Sequence, residues 1–317
     1  MKRALVALGA MVSMLAFGAA PLSAAPANAA PANVPIGGKC AVFPDDNIWN
    51  TRVDTLPVNS SSDTWLSTMG TATTKLHPDF GRSPYGFPFA IVTNKHSKVY
   101  VKFRYSSESD HVKYPFGSDT PIEQGSDRHA IMVNTDTCTL YELFDAHWNK
   151  GKPTAGSGAM FHLGSDALRP DGWTSADAAG LPILPGLVRY SEVAAGFIGH
   201  AIRFTVDCTS QAHLWPARHD AGSDDESCPP MGARFRLKAS FDIDSFTPDA
   251  QVVLLAMQQY GLILADNGSN WYFQGTQDKR WKDSLLDQLK TVPASQFEAV
   301  DESACQVSAD SAQAACL

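Results

Sequence analysis

The side chains able to do chemistry are gathered in short polar stretches between apolar ones. Histidines stand beside other ionisable groups in His77-Pro78-Asp79, Asp127-Arg128-His129, Asp145-Ala146-His147 and the run from His213 through Arg218 and His219 to Asp220. A histidine next to a carboxylate offers a proton-transfer group beside a partner that can orient its ring. Carboxylates matter in their own right, because glycoside hydrolysis needs two whose proton affinities are pushed apart. Asp79, Asp127, Asp177, Glu192, Asp242 and Asp266 are candidates. Elimination from a uronic acid polymer needs instead a cation on the substrate carboxylate and a His, Tyr or Lys base. Arg189-Tyr190, Arg203, Arg218-His219 and Lys238 would supply those parts.

The expected catalytic set is therefore Asp79, Asp177, His200, His219, Asp266 and Tyr190. Substrate contacts are expected from Arg189, Arg203, Arg218, Arg236 and Lys238, with Trp173 and Trp271 as stacking surfaces for sugar rings. Ser157 lies in Gly156-Ser157-Gly158, which lacks the five-residue elbow of an esterase nucleophile. No CxxC, HExxH or EF-hand spacing is present, so neither a metal site nor a cofactor is expected.

Period-two alternation dominates the segments between these side chains. It recurs over residues 89–93, 98–105, 129–134, 139–144, 200–206, 212–215, 233–241, 262–265 and 271–274, mostly separated by turn residues. Helical signals are few: 63–69, a capped short stretch after Ser175, 249–260 between Pro248 and Gly261, and 282–289. Many short strands with few helices predict a mainly β protein, an antiparallel β-sandwich or jelly roll with a few short helices. By alternation, Lys98, Tyr100, Lys102 and Arg104 share one strand face; Arg234, Arg236, Lys238 and Ser240 share another; and Arg203 and Thr205 a third. Such cationic columns on a concave face would suit a glycan.

The amino terminus has the layout of a secretion signal, with Lys2 and Arg3 ahead of an apolar run and small residues at Ala27 and Ala29. A signal peptide over residues 1–29, a disordered Pro/Ala/Gly arm over 30–39 and a single secreted β-rich domain over 40–317 are expected. All six cysteines lie beyond the leader, and an even count in an exported chain predicts three disulfides. Cys208 with Cys228 and Cys305 with Cys316 are the local choices, which leaves Cys40 for Cys138. The net charge of −8 becomes two charges more negative without Lys2 and Arg3, which argues against nucleic acid or an anionic membrane as the main partner. A monomer with no membrane contact after signal cleavage is expected, secreted to the extracellular space or periplasm.

Seven stretches carry a resemblance: HPDFG (77–81), DRHAIMV (127–133), LRPDGWTSADAAGLPILPGLVRY (168–190), GHAIRFT (199–205), PARHDAG (216–222), MGARFRLKASFDI (231–243) and ADNGSNWY (265–272). Together they resemble a family of secreted bacterial proteins of uncharacterised function. The resemblance covers most of the mature chain and implies a stable extracellular fold with a site built from these motifs; it implies no reaction. The residues themselves point to a secreted carbohydrate-active enzyme that cleaves a polysaccharide, with glycosidic hydrolysis preferred over β-elimination. The alternative is a non-catalytic envelope protein that binds cell-surface glycan.

Overall fold

The computed structural model describes Met1 and residues 33–316; the expected signal peptide lies outside the described residues, Met1 apart. Among the described residues there are four short helices, α1 (Ser62–Thr68), α2 (Tyr190–Ala195), α3 (Pro248–Gln259) and α4 (Asp283–Leu289), and many strands. The protein is mainly β with few short helices. The largest sheet has six strands in the order β1 (His77–Asp79), β14 (Tyr272–Gln274), β11 (Ile202–Val206), β13 (Leu262–Asn267), β12 (Arg234–Leu237) and β15 (Phe297–Val300). A four-stranded sheet follows the order β10 (Ser157–His162), β7 (Thr139–Phe144), β6 (Ala130–Asn134) and β2 (Phe89–Val92). A smaller sheet joins β4 (Lys102–Phe103), β9 (Lys152–Ala155) and β8 (His147–Asn149), and β3 (Val99–Tyr100) pairs with β5 (Lys113–Tyr114).

Pairing is mixed rather than wholly antiparallel. Strands β1 and β14, β11 and β13, β2 and β6, and β4 and β9 run parallel, while the other neighbours are antiparallel. Helix α3 returns the chain from β12 to its antiparallel neighbour β13. Pro248 at its first turn and Gly261 just past its end, with φ +70, mark its limits as the sequence indicates.

The four-stranded sheet is covered on both faces. Ile131, Val133 and Leu140 face the main core with the six-stranded sheet, while Ala130, Met132, Tyr141 and Leu143 face a second core with Val101, Phe103 and Phe116. All five residues of β6 are buried as a result. Alternation correctly separates the two sides of each strand, but it does not tell which sides are covered. Trp271, expected in a loop as a sugar platform, is fully buried among Phe204, Phe235 and Phe297 and donates its indole N–H to the Met69 carbonyl (3.0 Å).

Other differences from expectation have local causes. Residues 175–179 form no helix, because the carbonyls a helix would use are bonded by side chains instead. The stretch 212–215 contributes only an isolated bridge between His213 and Met231. In the segment expected to be a disordered arm, Asn33 bonds both backbone groups of Gly199, the Val34 carbonyl accepts from Arg189, and Ile36 bridges Cys40. The three disulfides are Cys40–Cys138, Cys208–Cys228 and Cys305–Cys316, the expected pairings. Among the described residues no helix is long and apolar enough to cross a membrane. The disulfides and that helix content are compatible with a secreted protein.

Candidate active site

A cavity of about 450 Å³ opens where the end of β13, the segment 174–178, the turn after β4 and the loop at His219 meet. Its lining includes Tyr105, Glu108, Asp127, Phe144, Asp177, His219 and Asp266. One wall, residues 175–178, is built by side chains that hold four successive carbonyls. The Ser157 hydroxyl donates to the Ser175 carbonyl (2.6 Å), His129 Nε2 to Ala176 (3.0 Å), Thr174 and Ser175 hydroxyls to Asp177 (3.0 Å each) and His219 Nδ1 to Ala178 (2.8 Å). Gly180 closes the turn: at φ +70 an added Cβ would lie 2.4 Å from the Trp173 carbonyl oxygen, so no other residue fits.

Behind this wall lies a chain of buried charges. Arg203 on β11 grips Asp177 with two bonds, Nε to Oδ2 (3.1 Å) and Nη2 to Oδ1 (2.8 Å), and its Nη1 donates to the Gln274 amide oxygen. The same Nη2 lies 3.9 Å from Asp266 Oδ2. Asp266, at the end of β13, is therefore a second carboxyl beside one cation already matched by Asp177. Burial and the adjacent Asp177 charge push its pKa up to about 8, outweighing Arg203. At neutral pH Asp266 is a carboxylic acid facing the cavity, while the Asp177 side chain is sealed against Arg203 and fully inaccessible.

His129 is also buried. Burial disfavours its charge, but the Glu123 carboxylate at 2.5 Å prevails and raises its pKa, while Glu123 is held below the usual range. An imidazolium there donates to Glu123 and to the Ala176 carbonyl at once, which fixes the backbone next to Asp177. Across the cavity Glu108 accepts from the Thr174 N–H (3.3 Å) and lies 3.8 Å from His219 Nε2. With His219 Nδ1 committed to the Ala178 carbonyl, its Nε2 is the ring nitrogen turned toward Glu108. Arg169 ties the two walls together, donating to the carbonyls of Glu108 (2.9 Å) and Thr174 (2.8 Å) and to Asp110 (2.6 Å).

Of the residues singled out in the sequence as candidate acids, bases or substrate contacts, the structure brings Asp127, Asp177, His219 and Asp266 into this cavity, with Arg203 directly behind Asp177. The rest of the expected catalytic and substrate-binding set lies elsewhere. His200 is buried, its ring nitrogens on the Ala201 carbonyl (2.8 Å) and the Glu192 carboxylate (3.2 Å). Arg189 also bonds Glu192. Tyr190 opens α2, edge-on to Trp281 and under Arg280. Asp79 lies in a separate groove of about 610 Å³ with His77 and Tyr85, its pKa raised by burial.

The expected concave cationic wall is not formed. Arg203 and Arg234 are buried struts, Arg234 holding the Tyr260 carbonyl (2.7 Å) and facing Glu302 at 3.4 Å. Arg236 pairs with Glu298 (2.8 Å) and the Val53 and Leu56 carbonyls, and Lys238 donates to the Ser295 carbonyl (3.0 Å). Arg218 clamps the carbonyls of Arg169 and Ala309 and the Asp310 carboxylate. Trp173 lies against Arg169, 5.6 Å from the guanidinium. Arg203 and Arg234 are committed to the fold because both sides of their strands are covered, and a buried guanidinium, that of loop residue Arg218 included, needs acceptors for its donors.

Sequence reasoning did not select Glu108, which sits in an ordinary polar turn after a strand, nor the Glu123–His129 pair, six residues apart with no motif. Among the described residues the one close cluster of metal-type ligands is Cys208, Cys228 and exposed Asp225, and both sulfurs belong to a disulfide. Comparison of the chain with protein-family models, with curated proteins and with solved structures gives no match.

Proposed function

We propose that the cavity is the active site of a secreted enzyme that hydrolyses glycosidic bonds in a polysaccharide. The observation that carries this reading is the Asp177–Asp266 pair at the wall of a cavity that also holds Glu108 and His219. Asp266 keeps its proton at neutral pH and is the general acid toward the departing sugar oxygen. Glu108 with His219 Nε2 accepts the proton of the attacking water. Asp177, sealed and paired with Arg203, does not touch substrate; it is a positioning residue that keeps Asp266 protonated. Tyr105 and Phe144 present rings in the same cavity, suited to the CH faces of a sugar.

The cavity lining contains no Lys or Arg among the described residues. That speaks for hydrolysis over elimination, because abstraction next to a uronate needs a cation on the substrate carboxylate. The test is incubation with neutral and acidic polysaccharides, followed for new reducing ends and for absorbance of unsaturated uronates. Reducing ends without unsaturation, lost in Asp266→Asn and Glu108→Gln, are expected. Unsaturated products, or wild-type rates in both variants, would refute the assignment.

A further inference from the structure

The cationic column that stays free is the one on β3 and β4. Along residues 99–104 exposure alternates, Val101 and Phe103 entering the second core while Tyr100, Lys102 and Arg104 point outward. The register of the neighbours widens this column into a face. Tyr100 stands opposite Lys113 on β5, whose ammonium lies 5.3 Å from the ring centroid. Lys102 is beside Thr154 on β9, so exposed Lys152, two residues earlier on the same face, flanks the Tyr100 end. Strands about 4.8 Å apart and same-face residues about 6.6 Å apart put the three lysines around a single ring.

The charges of this face are unevenly satisfied. Arg104 and His147 share Asp145. Among the described residues Lys102, Lys113 and Lys152 have no carboxylate partner, in a chain with 33 acidic residues to 25 basic ones. Tyr100 is 67% exposed in their midst. An aromatic ring left in water among unpaired ammonium groups is poorly explained by folding, since it neither packs the core nor closes an ion pair.

We propose that Tyr100, Lys102, Lys113 and Lys152 form a binding face for a carboxylated polysaccharide, separate from the cavity. The ring stacks on the sugar and the ammonium groups meet its carboxylates. The net negative charge of the rest of the chain favours approach of such a polyanion to this face. The proposal does not depend on the hydrolase reading: this face holds the protein on an acidic matrix whatever the cavity does.

The four side chains are exposed or lie outside both cores, so their replacement leaves the fold in place. Retention on immobilised polygalacturonate is measured in about 20 mM and about 200 mM NaCl, where the Debye length falls several-fold. Wild type should be retained at low salt and released at high salt, and the Lys102→Gln/Lys113→Gln/Lys152→Gln variant should run through, while Lys238→Gln behaves as wild type. Tyr100→Ala should lose retention on polygalacturonate but keep its binding to immobilised polyglutamate, a carboxylated polyanion with no ring to stack on. Failure of wild type to bind at low salt, wild-type retention by the triple variant, or equal loss on both polymers in Tyr100→Ala would overturn the proposal.

Discussion

Replacing Asp177 by Asn tests the charge network behind the cavity most directly. A carboxyl that keeps its proton to about pH 8, against an ordinary 3.8, has its charged form disfavoured by roughly 6 kcal/mol. Burial contributes first and the Asp177 charge second, with Arg203 opposing both. Both carboxyls meet the same Arg203 Nη2, at 2.8 and 3.9 Å; for like charges roughly 4–6 Å apart at an effective dielectric near 20 the repulsion is about 3–4 kcal/mol, or about two to three pH units in a pKa. Asn removes that repulsion and leaves Arg203, 3.9 Å from Asp266, with a single carboxylate to serve, while the burial contribution stays. The Asp266 pKa should then fall by at least about two pH units. The alkaline limb of kcat/KM should move from near pH 8 to about pH 6 or below. Carbon-13 NMR titration of the aspartate carboxyls reads the same quantity without a substrate, and near-UV circular dichroism checks that the fold survives. An Asp266 pKa unchanged in a folded Asp177→Asn variant would refute the reasoning.

Thermal stability should fall as pH rises from about 5 to about 8.5. Asp266 has its pKa raised to about 8, and Glu142 and Glu302 to about 7, mainly by burial, so the folded chain binds more protons than the unfolded chain between pH 4 and 8 and their cost is complete only above that window. His129, raised in the fold, adds stability below pH 6.5 that is lost as pH passes its folded value. Glu192 and Glu123, held low, work the other way and lose their contribution only on acidification; a Tm that rises from pH 5 to 8.5 would contradict this balance. Glu142→Gln, which keeps an oxygen for one of the Ile183 and Leu184 N–H groups and sets its amide nitrogen against the other, should lower Tm but flatten the decline near pH 7. Arg234→Met should destabilise by about 3 kcal/mol or more in urea melts, because it leaves Glu302 buried without its cation. Non-reducing peptide mapping should find no free thiol, and removing Cys40–Cys138, which spans 98 residues, should cost on the order of 4 kcal/mol in the same melts.

The sequence by itself determined what depends on neighbours along the chain. Alternation at 130–134, 139–144 and 262–265 places strands where they occur, the Pro248 and Gly261 boundaries place α3, and cysteine spacing anticipates the pairing. It also picks out Asp177, His219 and Asp266 as groups worth attention, because polar residues dense in loops between apolar strands are where sites are built. Tertiary structure alone decided which strand faces are covered. Alternation puts Arg203 and Lys102 equally on a polar side, yet one is a buried strut behind Asp177 and the other is open to solvent. The reason is that burial is set by a second sheet or helix distant in sequence, and a charge acquires its role from the partner it meets there. Glu108, 158 residues before Asp266 in the numbering, enters the same cavity only through that packing.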